Sequence, residues 1–149
     1  MFNEDTRVLI VDDEQRFRDL LALLLVESLG VQAVAMGASD LRLWREVDAR
    51  PGPSVVLLDW QMPVTHGGSV LTQIKARHPG MPVVVMSAGA FRDTARRLGC
   101  DDYLDKPFTL EEVATKLEPW LAEAGRRQVP ASIKPMPKAR TTSPMESTL

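Results

Sequence analysis

VVLLDWQMPVTHGG (residues 55–68) passes from an unbroken apolar run to a carboxylate, an aromatic, a proline and a Gly-Gly pair. Val55 to Leu58 is too short for a helix and apolar at every position, so the strand it forms is buried on both faces. Asp59 then arrives where an unpaired charge is expensive. Its compensation has to come from residues near it in space rather than in sequence.

Working outward, similar runs recur: VLIV (8–11), VQAVAM (31–36), PVVVMS (82–87) and the shorter DYL (102–104). Helical periods lie between them. Phe17, Leu20, Leu21 and Leu24 repeat at i, i+3, i+4, i+7; Leu41, Trp44 and Val47 predict a second helix, and Val70, Leu71 and Ile74 a third. Leu110, Val113, Leu117 and Leu121 mark the last helix, with Thr109 and Glu112 spaced as a capping box and Gly125 as its stop. Doubly apolar strands alternating with helices predict an α/β domain with five parallel strands covered on both sides by five helices. Ligands of such sheets bind outside the carboxyl ends of the strands.

Composition bounds the answer. The 149 residues suit one well-buried domain, and the net charge of −2 hides a split. Residues 126–149 carry five Lys/Arg against Glu146, a local +4 that leaves the preceding 125 at −6. An acidic body is a poor match for direct nucleic-acid binding. The lone Cys100 excludes an intramolecular disulfide. The longest apolar run, Leu20 to Val26, is far below the ~20 residues of a membrane span, and no leader is evident, so a cytoplasmic location is expected. The Pro- and Ser/Thr-rich segment 126–149 reads as a disordered, solvated tail.

The strand ends converge. Asp12 and Asp13 follow the first strand, Asp59 closes the third, Ser87 the fourth, and Lys106 follows the fifth. Clustered carboxylates take up protons or bind a cation, and an all-oxygen set favours Mg²⁺ or Mn²⁺. Lys106 and Ser87 add a positive charge and a hydrogen bond for a phosphoryl ligand. Taken singly, each has a plainer reading: Asp13 as the N-cap of a helix beginning at Glu14, Asp59 as a turn-initiating residue, Lys106 as a solvated loop lysine. His66 and His78 complete no His-based cluster by spacing and read as surface or loop residues.

The blocks LIVDDE (9–14), LLDWQMP (57–63) with Gly67, VVMSA (84–88) and DDYLDKPF (101–108), in this order, resemble the receiver domain of two-component response regulators, CheY-like phosphoacceptor domains. The resemblance spans about residues 7–124. It implies a flavodoxin-like sheet of strand order 2-1-3-4-5, a receiver domain over 1–125, and Asp59 as the acceptor of a phosphoryl group from a sensor histidine kinase or phosphotransfer protein. It further implies Asp13, Asp59 and the backbone carbonyl of Gln61 as metal ligands, Asp12 holding the ion chiefly through water, and Lys106 on the phosphoryl oxygens. The peptide before Pro107 is similar to one that is cis in that family. Ser87 and Tyr103 match its switch pair, through which helix four, strand five and helix five would signal to a downstream protein or a second copy. Catalysis would be confined to the domain's own phosphorylation and dephosphorylation.

One departure stands out. Ser87 and Lys106 are 19 positions apart, three fewer than usual in the family, so the fourth helix, within GAFRDTARRL (89–98), must be short. That change favours an alternative reading, a phosphorylation-independent interaction platform; the intact Asp12, Asp13, Asp59, Ser87 and Lys106 set argues against it. A phosphatase of the haloacid-dehalogenase type would need an Asp where Gln61 stands.

Overall fold

The computed structural model describes residues 5–127, in which strand and helix alternate throughout. The elements are β1 (Arg7–Val11), α1 (Gln15–Leu29), β2 (Gln32–Met36), α2 (Leu43–Asp48), β3 (Val55–Asp59), α3 (Gly67–Arg77), β4 (Val83–Ser87), α4 (Arg92–Arg97), β5 (Asp102–Asp105) and α5 (Leu110–Arg127). The five strands form one parallel sheet in the order β2-β1-β3-β4-β5, the flavodoxin-like arrangement, with the fourth helix reduced to six residues. Every residue of β3 and β4 is buried, as their unbroken apolar runs up to the terminal Asp59 and Ser87 require.

Two cores lie on either side of the sheet, divided by the two-residue period of the strands. Leu9, Val11, Val56, Leu58, Val83 and Val85 pack with Leu43, Val47, Val70, Leu71, Ile74 and Ala95 of α2 to α4. Val8, Ile10, Val55, Leu57, Val84 and Met86 pack with Leu21, Leu25 and Leu29 of α1 and Val113, Leu117 and Leu121 of α5. At the far end from the strand carboxyl termini, Asp48 pairs with Arg77 and, at 2.7 Å, with His78, tying α2 to α3.

Some local expectations shift. The buried stripe of α1 is Leu21, Leu25 and Leu29, while Leu20 is 56% exposed. In α2, Leu43 and Val47 face the core, and Leu41, in the preceding turn, is 95% exposed. The capping box forms as spaced: Glu112 N–H donates to Thr109 Oγ1 (3.0 Å) and Thr109 N–H to Glu112 Oε1 (2.8 Å). Gly125 does not end α5, which continues through it to Arg127; a glycine stops a helix only where the chain takes up a left-handed turn, and here it stays helical. Of the expected tail, Arg126 and Arg127 belong to this helix and residues 128–149 lie outside the described residues. Among the described residues no helix is long and apolar enough to cross a membrane.

Candidate functional site

Backbone hydrogen bonds fix the loops that leave the strands. Trp60 N–H donates to Met86 O (2.9 Å), Asp12 N–H to Met36 O (3.1 Å) and Lys106 N–H to Ser87 O (2.9 Å). Each loop is therefore held to the neighbouring strand within a residue or two of its acidic, hydroxyl or ammonium side chain. The Lys106–Pro107 peptide bond is cis. The Lys106 side chain lies over the Phe17 ring, Nζ 4.3 Å from its centroid, and Phe17 is itself braced edge-on by Phe108.

The Lys106 ammonium reaches two carboxylates. It donates to Asp12 Oδ2 at 3.0 Å and to Asp59 Oδ1 at 3.4 Å, joining residues 94 and 47 positions away in sequence. Asp12 is 1% exposed and Asp59 6%. One ammonium between two buried carboxylates leaves an excess negative charge. Burial pushes the Asp59 carboxyl above the ordinary aspartate value; Lys106 opposes that rise, the charge on Asp12 adds to it, and the Gln61 N–H offsets a little more. The Gln61 N–H, 3.3 Å away, also falls on Oδ1.

Asp13 is placed differently. Its Oδ1 accepts the Ala38 N–H (3.0 Å), fixing the loop after β2. It does not N-cap α1: that position is Glu14, without a side-chain cap bond, and the local turn is closed by Glu14 N–H donating to Asp12 Oδ1 (2.9 Å). Among the described residues no group of three or more His, Cys, Asp or Glu is gathered closely enough to hold a metal by itself. The donor chemistry nonetheless fits Mg²⁺, which takes one or two carboxylates and completes its shell with water and phosphate oxygens. Two buried carboxylates sharing a single ammonium also have an unmet demand for positive charge.

At the end of β4, Ser87 is fully buried. Its hydroxyl donates to Gln61 Oε1 (3.4 Å) and accepts from Gly89 N–H (3.0 Å), while Ala88 N–H also donates to Gln61 Oε1 (3.3 Å). Nothing in the sequence pattern announced that the Gln61 side chain spans from β3 to β4. Tyr103 points inward at 1% exposure, its hydroxyl donating to Gly89 O (2.8 Å) and accepting from Phe91 N–H (3.3 Å). The Arg92 guanidinium covers the Tyr103 ring at 4.7 Å and pairs with Asp105.

The two histidines stand at the two ends of α3. His66 is the N-cap of α3, its Nδ1 accepting from Gly68 N–H (2.8 Å), and its ring stands edge-on to Trp60. His78 caps the other end of the same helix. Burial, reinforced by neighbouring Asp101, pushes the Cys100 thiol up, which keeps it protonated rather than nucleophilic.

The fold and site thus define an α/β domain whose parallel sheet brings two buried carboxylates, an ammonium and a buried hydroxyl together at the carboxyl ends of its strands. The response regulator receiver domain model matches residues 8–118, and the chain belongs to that family. It is 34% identical over 122 residues to the probable transcriptional regulatory protein TcrX of Mycobacterium tuberculosis, covering 79% of this chain and 50% of TcrX. It is 34% identical over 131 residues to the DNA-binding transcriptional regulator NtrC of Escherichia coli, covering 85% of this chain and 27% of NtrC. A receiver domain structure from Clostridium thermocellum superposes with a TM-score of 0.72 at 24% identity, over 83% of this chain and 99% of that one, a likeness of fold. The chain thus spans half or less of these curated relatives; its family is that of the receiver domains of phosphorelay signalling.

Proposed function

We propose that this chain is a phosphoacceptor switch in which Asp59 takes a phosphoryl group from a phosphohistidine of a sensor histidine kinase or phosphotransfer protein. The observation that carries this reading is Lys106 Nζ lying against both Asp12 and Asp59 at the carboxyl ends of the strands. An Asp59 carboxylate oxygen attacks phosphorus; the O–P bond forms as the P–N bond breaks, and the imidazole leaves with the electron pair and takes a proton. A loose transition state of this kind needs in-line positioning and charge neutralisation rather than a general base. Lys106 supplies positive charge to the phosphoryl oxygens, and Ser87 Oγ and Ala88 N–H supply hydrogen bonds. Asp12, Asp13, Asp59 and the backbone carbonyl of Gln61 are the oxygens that would hold Mg²⁺ or Mn²⁺, which when bound supplies further neutralisation of phosphoryl charge. Asp59, Lys106 and Ser87 are the groups that touch the reacting atoms in this reading, and the domain needs no other enzymatic activity.

Incubation with phosphoramidate and Mg²⁺ is expected to give one hydroxylamine-labile phosphoryl group on the peptide containing Asp59, and none when EDTA replaces the metal. Label on another residue, or none at all, would remove the assignment. The output surface is α4, β5 and α5, directed at a downstream protein or a second copy of the chain.

A second reading has its own observation. Tyr103, the aromatic member of the expected switch pair, points inward without any phosphoryl group on Asp59 and is held there by Gly89, Phe91 and Arg92. An output face set in advance would serve a phosphorylation-independent platform. Beryllofluoride with Mg²⁺, an imitation of the acyl phosphate, decides between them. Amide resonances of Phe91 to Asp105 that move with those of Asp59 support the switch; a stationary 91–105 segment beside a perturbed Asp59 supports the platform.

A further inference from the structure

Gln61 is exposed, so packing does not account for where its side chain goes. The two groups it engages belong to β4 and the residue after it, 26 and 27 positions on. Ala88 N–H can only donate, so the amide oxygen, not its nitrogen, must face it, and the Ser87 hydroxyl then donates to the same oxygen while accepting from Gly89 N–H. Meanwhile the backbone N–H of Gln61 holds Asp59 Oδ1 at 3.3 Å. One residue therefore ties the reactive carboxylate on one side to the Ser87 and Ala88 donors on the other.

We infer that the Gln61 side chain is a positioning residue that competes with an anion on Asp59: its Oε1 occupies the Ser87 and Ala88 donors and has to be displaced before phosphoryl oxygens can take them. This rests on the phosphoacceptor reading and gives Gln61 a direction within it. A neutral amide oxygen at 3.3–3.4 Å makes weaker bonds than a charged phosphoryl oxygen, so the contact delays occupancy without preventing it. Its removal should favour the anion-bound form by what a typical net hydrogen bond contributes, roughly 2- to 10-fold in affinity.

Beryllofluoride titration in Mg²⁺, followed by tryptophan fluorescence, should show Gln61→Ala binding roughly 2- to 10-fold more tightly than wild type. Gln61→Glu retains the acceptor but adds a negative charge, and should bind more weakly than wild type. Without any ligand, the Ala88 amide proton of Gln61→Ala should move upfield, the sign of the lost hydrogen bond, while the tighter beryllofluoride binding is the readout that a purely structural role for Gln61 would not produce. Wild type that binds while Gln61→Ala binds no more tightly, or an unmoved Ala88 amide, overturns this inference alone. Failure of every variant, wild type included, to bind would bring down the phosphoacceptor reading and this one with it.

Discussion

Asp59→Asn should abolish phosphoryl labelling and, at neutral pH without Mg²⁺, make the protein more stable than wild type. The first effect follows from loss of the attacking oxygen. The second follows from electrostatics: an ionised carboxylate that is 6% exposed beside Asp12 is only partly compensated by Lys106, and a neutral amide of the same shape removes that cost while leaving Lys106 its closer partner, Asp12, at 3.0 Å. The gain is on the order of 1 kcal/mol, or about 3–4 °C in Tm for a domain of this size. Its pH dependence identifies its source. Because burial raises the folded-state value, the native protein holds this proton more tightly than the unfolded chain does. Stability therefore falls as pH rises from the ordinary aspartate value through the raised one. The gap between Asp59→Asn and wild type should be absent in acid, open across that window and persist above it. Saturating Mg²⁺ should narrow it, since an ion bound only by the native state stabilises the protein that retains the carboxylate. A variant less stable than wild type at neutral pH would show that Asp59 is well compensated without a metal.

How much of this was legible in the sequence depended on how many independent constraints each residue carried. The strands were plain because β3 and β4 have no polar position until Asp59 and Ser87, so neither register nor face was ambiguous. The convergence of Asp12, Asp59, Ser87 and Lys106 followed from parallel topology alone, since each directly ends or follows a strand. The phase of α1 was harder. Its leucines occur nearly all round the helix, so Leu20 and Leu21 were equally good candidates for the core until α5 supplied the surface that Leu21, Leu25 and Leu29 meet. Leu41 was misplaced for the opposite reason: it fits the helical spacing, but the turn at Asp40, whose carboxylate accepts the Arg42 N–H, delays the helix to Leu43. Asp13 and Gln61 were legible as residue types and not as contacts. Ala38, Ser87 and Ala88, their partners, are fixed only by folding of the chain between.

The Gly-Gly break that follows Asp59 supports a prediction of larger effect: Gly67→Ala should cost about 3 kcal/mol or more and lower Tm by roughly 10 °C or more. Gly67 begins α3 and is buried, with its N–H donating to Trp60 O at 3.1 Å. A Cβ there would lie 2.5 Å from Asp59 O and 2.7 Å from Trp60 Cα. Both are backbone atoms and have little room to retreat, because Trp60 N–H is bonded to Met86 O and Asp59 is paired with Met86 across the sheet. The chain can relieve the clash only by moving α3 off the sheet or by displacing the end of β3, which carries the Asp59 carboxylate. Labelling of the folded fraction should therefore fall along with stability. Gly80→Ala is the control: its Cβ would meet nothing within 4 Å, and Tm should stay within about 2 °C of wild type. A Gly67→Ala protein as stable as this control would mean that α3 does not approach the β3 backbone so closely, and that something other than this contact fixes the position of Asp59.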